Sequence, residues 1–177
     1  MGDQCNDPLN TFPTRAWTRS ETNVAVTQRS PATTSPSQVF SVGYEGRSLD
    51  ELVDVLREHC IELLVDVRLN AISRRPGFSK RALSAALSAA SIDYLHEPSL
   101  GNPPDNRPDF RAGLSLARRR YLRRMQVDGR EALQRLANEV MERRTALLCV
   151  ERDEVSCHRT CIADHLANRC SAEVMAL

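Results

Sequence analysis

Leu147–Leu166 reads LLCVERDEVSCHRTCIADHL, and this stretch decides the fold class. Ala146–Val150 is a short, almost continuous apolar run, the pattern of a strand covered on both faces of a parallel sheet. A short acidic loop follows. From Cys157 the spacing becomes helical and predicts a helix to about Asn168, with Cys157, His158 and Arg159 as its first residues. A thiol, an imidazole, a guanidinium and the Glu151 carboxylate thus converge where a strand hands over to a helix.

Working outward, the same alternation recurs. Val39–Gly43 predicts a first strand, and Tyr44–Arg47 a turn. Ser48 with Glu51 forms an S-x-x-E capping box for a helix from Leu49 to about His59. Leu63–Arg68 predicts the second strand. Ser79 is expected to cap a helix to about Ala90, and Ile92–His96 predicts the third strand. EPSLGNPPDNRPDF is expected to be an irregular loop because Pro and Gly interrupt it. Two helices, about 111–125 and 129–143, should precede the fourth strand, and 172–177 a fifth. Alternating strands and helices predict an α/β domain over 38–177: an open, mainly parallel, Rossmann-like sheet of about five strands with helices on both faces. Residues 1–37 are polar and rich in Ser, Thr, Pro and Arg, and are expected to form a disordered tail.

Composition narrows the classes. A net charge of +1 in 177 residues argues for neither nucleic acid nor a membrane surface. No apolar run approaches the roughly 18–20 residues that span a bilayer. The first residues lack the apolar core of a secretory signal, so a cytoplasmic location and six free thiols are expected. GYEGRS lacks the Gly-Lys-Ser/Thr ending of a phosphate-binding loop.

Right-handed crossovers bring every strand-to-helix loop to one sheet edge, where ligands bind in such folds. Asp66 and Arg68 lie two apart on the second strand and share a face. They fit an internal ion pair as well as a ligand site. Cys149 and Glu151 repeat the arrangement on the fourth strand. Helix N-termini attract anions and lower thiol pKa values, which makes Cys157 the candidate reactive thiolate and Arg159 the candidate anion clamp. His96, at the third strand's exit, suits a general base or a hydrogen bond to a loop carbonyl. Cys157, Cys161 and His165 recur at i, i+4 and i+8, and with Glu151 they outline a zinc stripe. Ile162 and Leu166 border it, however, and point Cys161 and His165 toward the core, so no metal is expected.

Six motifs occur in order: Tyr44-Glu45-Gly46-Arg47-Ser48, Asp66-Val67-Arg68-Leu69-Asn70, Ile72-Ser73-Arg74, Pro76-Gly77-Phe78-Ser79-Lys80, Leu100-Gly101-Asn102-Pro103, and Leu148-Cys149 with Glu151 and Cys157-His158-Arg159. From about Val39 to Leu177 the chain resembles the bacterial and archaeal family catalogued as domain of unknown function 488. The resemblance implies a compact α/β domain with these motifs gathered at the strand ends, and brings no settled activity. Ala71 departs from it, since similar sequences usually carry Pro there, which implies a less rigid loop.

Three functions follow as expectations. One is an enzyme acting on a phosphate-bearing or otherwise anionic small molecule, nucleotide-derived in one version. Arg68, Arg74 and Arg159 would hold the anion, and Tyr44, Arg47, Asp66, Ser73 and His158 would line the same edge. Glu151 or His96 would move protons, with Cys157 or Cys149 as nucleophile. The second is a nucleic-acid-binding module, hydrolytic in one version, using the arginines between Arg107 and Arg124 and the Arg74–Arg81 cluster. The third is a non-catalytic regulatory or scaffold domain.

Overall fold

The computed structural model describes residues 37–177. The expected tail lies outside them except for Ser37, whose carbonyl already accepts the Glu173 N–H at 2.8 Å.

Five parallel strands form one sheet: β1 (Gln38–Gly43), β2 (Leu63–Asp66), β3 (Asp93–His96), β4 (Thr145–Cys149) and β5 (Glu173–Ala176), in the spatial order β3-β2-β4-β1-β5. Six helices connect them: α1 (Leu49–Glu58), α2 (Lys80–Ala89), α3 (Arg107–Arg111), α4 (Ser115–Val127), α5 (Arg130–Glu142) and α6 (Arg159–Cys170). The residues of β2 and β4 are buried throughout, as their apolar runs require. Phe40, Val42, Leu64 and Leu148 face one core with Leu52, Leu56, Leu83 and Leu87 of α1 and α2. Val39, Val65, Leu147 and Cys149 face a second core with side chains of α4, α5 and α6.

The Ser48 capping box forms: its Oγ accepts the Glu51 N–H at 3.2 Å, and Glu51 Oε2 accepts the Ser48 N–H at 2.6 Å. Ser79 occupies the N-cap of α2, but its side chain makes no capping bond.

Other expectations are corrected. The Pro-rich segment is not structureless, for it holds two single 3-10 turns, Pro98–Leu100 and Pro104–Asn106, and then α3. Proline at the first positions of a turn presets φ and lacks only an N–H that would be unpaired anyway, so here it starts regular structure. Helix α4 accordingly begins later than expected, at Ser115. Helix α6 begins at Arg159, with Cys157 and His158 in the turn before it, where Cys157 N donates to Glu154 O at 3.0 Å.

Topology places the cleft. The chain leaving β2 passes through α2 toward β3 on one side, whereas the chain leaving β4 passes through α6 toward β5 on the other. Adjacent strands whose connections diverge leave a crevice between their C-terminal ends. Here that crevice lies between Asp66 and Cys149.

Candidate functional site

Two glycines let the surrounding backbone close in. A Cβ on Gly43, the last residue of β1, would lie 1.9 Å from the Glu151 carbonyl oxygen. One on Gly101 would lie 2.3 Å from the Leu69 Cα. Only a hydrogen at these positions permits such contact. The loops after β2, β3 and β4 thereby meet around a cleft of about 120 Å³, lined by Arg68, Asn70, Asn102, Arg107, Arg111, Cys149, Glu151, Ser156, Cys157 and His158, with Ile72 and Val150 at its apolar margin. That volume suits the anionic head of a ligand and falls short of the roughly 300 Å³ that encloses a whole drug-sized molecule.

One wall is an internal ion pair. Asp66 is fully buried, and Oδ1 accepts Arg68 Nε at 2.7 Å and the Arg68 backbone N–H at 3.1 Å. Its Oδ2 accepts Arg68 Nη2 at 2.5 Å and the Tyr94 hydroxyl at 2.7 Å. Arg68 Nη1 donates to Tyr44 Oη at 3.0 Å and to the Phe78 carbonyl at 2.9 Å. Tyr44 stacks on Phe78 with ring centroids 4.3 Å apart. Burial works against the Arg68 charge, but the hydrogen bond and charge of Asp66 outweigh it and raise the pKa further. Asp66, Tyr44 and most Arg68 donors therefore anchor the loop after β2, leaving little of Arg68 to hold an anion.

The opposite wall carries the reactive groups. Glu151 Oε1 accepts Arg111 Nη2 at 2.7 Å, while Oε2 lies 3.0 Å from Cys149 Sγ and 3.4 Å from Cys157 Sγ. Burial would raise the Glu151 pKa, yet hydrogen bonds from Cys149 and Arg111 bring it down to about 2. Arg159, the largest completely buried side chain, donates Nε to Cys157 Sγ at 3.2 Å and Nη2 to the Glu151 carbonyl at 2.6 Å. His158 donates Nε2–H to the Val67 carbonyl at 3.1 Å, and its ring meets Tyr121 edge-on at 5.2 Å. Its Nδ1 faces Cys157 Sγ at 3.8 Å and Cys149 Sγ at 4.0 Å.

The two thiols shift in opposite directions. Burial opposes ionisation of Cys157, but the hydrogen bond from Cys149 and the nearness of His158 and Arg159 hold it well below the usual thiol range. Cys149 moves the opposite way, driven by its bond to Cys157 and by burial.

Cys149, Glu151, Cys157 and His158 meet in the cleft, with Arg159 directly beneath them. Arg68 lines the cleft too, whereas four of the other expected residues lie elsewhere. His96 gives Nε2 to the Arg68 carbonyl at 2.9 Å, which makes it a loop anchor. Ser73 Oγ accepts the Arg75 N–H at 3.1 Å, Arg74 is exposed, and Arg47 is bound through its carbonyl by Arg75. None of these four lines the cleft. The Cys157/Cys161/His165 stripe does not assemble, because Cys161 faces the core and His165 lines an open groove with Gln126, Arg130 and Arg169. Arg107 and Arg111, grouped from sequence with the arginines of a nucleic-acid-binding surface, sit in the cleft. Asn70 and Asn102 occupied motifs but had no role assigned. The signal that could have found Asn102 is its neighbour Gly101.

No curated protein and no solved structure matches the chain. A family model described as "Domain of unknown function DUF488" matches residues 48–166. That span holds the loops after β2, β3 and β4 but not Tyr44 or Arg47, so it is narrower than the resemblance expected from the motifs. By that match the chain belongs to the DUF488 family.

Proposed function

We propose that the protein is an enzyme acting on a small molecule with a phosphate or other anionic group, bound at the C-terminal ends of β2 and β4. The observation that carries this reading is the facing arrangement within one cleft. Arg107, Arg111, Asn70 and Asn102 offer donors beside a cluster containing an acidified thiol, Cys157, and the Glu151 carboxylate. Guanidinium and amide groups recognise oxyanions through charge-assisted hydrogen bonds. Arg107 is held by its Nε bond to the Asn102 carbonyl at 2.9 Å, which presents the rest of its guanidinium. Arg111 is half exposed and available to exchange Glu151 for a ligand oxygen. The chemistry belongs to Cys149, Glu151, Cys157 and His158. Cys157 is the more acidic of the two thiols, and Glu151, freed by such an exchange, is a base within reach. A thiol so placed acts as its thiolate, by direct attack or by binding a metal.

The test is a melting-temperature screen with inorganic phosphate, pyrophosphate and nucleoside monophosphates. A saturable rise is expected for at least one of them, amounting to about 2.7 kcal/mol of stabilisation at a hundredfold excess over Kd. R107A and R111A should both reduce the response. Equal responses in the wild type and both variants would discard this cleft as the anion site.

The nucleic-acid reading gains no support. Three of the five arginines on α4 pair with acids: Arg118 with Asp164, Arg120 with Asp109 and Arg124 with Asp128.

A further inference from the structure

Among the described residues, Cys149, Cys157 and His158 bring two Sγ atoms and one imidazole nitrogen within 4.8 Å of one another. Tetrahedral zinc, with Zn–S of about 2.3 Å and Zn–N of about 2.0–2.1 Å, sets sulfur and nitrogen about 3.6 Å apart. The 3.8 and 4.0 Å separations from Nδ1 lie within a few tenths of an ångström of that. They are long for thiol hydrogen bonds, so a buried nitrogen lies between two sulfurs without gripping either. A carbonyl only accepts, so the bond to Val67 O places a proton on Nε2, and in the neutral ring the lone pair is then on Nδ1, the nitrogen facing the sulfurs. Donation of the remote N–H to a backbone carbonyl is the usual support of a metal-bound histidine.

Charge points the same way. Two sulfurs and a carboxylate oxygen crowd together, with Glu151 Oε2 at 3.0 and 3.4 Å from the two Sγ atoms. A metal cation bound there would take the place of the two thiol protons. Arg159 approaches Cys157 from beneath and compensates only one charge.

We propose that Cys149 Sγ, Cys157 Sγ and His158 Nδ1 bind one zinc ion, with the fourth coordination position open toward the cleft. Two soft thiolates and an imidazole suit zinc over magnesium or calcium, and three protein ligands with an open position are the pattern of a catalytic site. The site deepens the proposed enzymatic role and rests on that reading for its use. Zinc would act there as a Lewis acid toward the anionic substrate or its attacking water. Glu151, lining the same cleft, is the carboxylate at hand to take a proton from that water. Cys161 and His165 take no part.

The test uses the full-length chain, purified under reducing conditions without chelator. Metal content is measured by mass spectrometry, followed by titration of the metal-free protein with Zn2+ and with Co2+. One equivalent of zinc per chain is expected. Bound Co2+ should show thiolate-to-metal charge transfer in the near ultraviolet and tetrahedral bands in the visible. C149S should weaken Zn2+ binding by at least about tenfold, the lower bound for losing a mere supporting group, and C161S should leave it unchanged. Circular dichroism identifies a variant that fails to fold, and the wild-type titration decides the question without it. No stoichiometric Zn2+ or Co2+ binding to the reduced wild type would overturn the proposal, as would loss of binding in C161S with retention in C149S. Phosphate and pyrophosphate binding is measured separately on metal-free protein. Anion binding without zinc sinks the metal site alone, and zinc without anion binding sinks the substrate reading alone.

Discussion

Asp66→Asn tests the physical reading of the cleft's rear wall. The Asp66 side chain is 0% exposed and that of Arg68 4%, so solvent screening gives no relief. The substitution keeps the size of the side chain but removes its charge and turns one acceptor oxygen into a donor facing the Arg68 fork. A buried guanidinium then stays charged without its partner, which costs about 3–5 kcal/mol. Tyr94→Phe removes a single bond to that carboxylate and should cost about 1.5 kcal/mol. The double variant Asp66→Leu/Arg68→Met replaces both charges by apolar groups and should recover much of the loss, because desolvating an ion pair offsets most of its attraction. Urea unfolding followed by circular dichroism gives each value, with an unchanged m-value required for the comparison. A loss below about 1 kcal/mol for Asp66→Asn would refute the account, given the penalty for an unpaired buried charge. So would a double variant no more stable than the sum of its parts.

Gly101→Ala forces a methyl group against the Leu69 backbone at 2.3 Å; it should destabilise by about 1–3 kcal/mol and reduce the melting shift given by anions, as differential scanning fluorimetry would show. Tyr121→Phe breaks the 2.7 Å bond to the Leu100 carbonyl and should cost about 0.5–1.5 kcal/mol in denaturant unfolding. Glu51 titrates below its ordinary value because of its bonds with Ser48, so the capping box adds stability above the unfolded carboxylate pKa and loses it as pH falls through the lower folded value. Ser48→Ala should move the Glu51 titration seen by NMR upward, toward its ordinary value of 4.5.

The sheet was legible because apolar runs such as Leu63–Val65 and Ala146–Leu148 admit few other readings, and turns with capping residues separate them. Register and order were not legible, since β4 inserts between β1 and β2 through contacts far apart in sequence. The pairing of Cys149 with Cys157 escaped notice for a related reason. Helical spacing suggested Cys157 with Cys161, but the helix starts two residues later than expected and the intervening turn swings Cys157 back toward the strand. Arg68 shows the limit most plainly. Its two-residue spacing from Asp66 announced a shared face, yet nothing in the chain announced that Tyr44 and Phe78 would take its remaining donors.

Arg159 grips the segment between β4 and α6 near both ends, through the Glu151 carbonyl and the Cys157 sulfur, while Arg152, Asp153 and Val155 protrude into solvent. The segment is therefore a bridge with fixed abutments and an exposed span. Side chains along that span can change without moving the groups at its footings. Variation at Arg152, Asp153 or Val155 would recast the surface beside the cleft and leave Glu151 and Cys157 where they are.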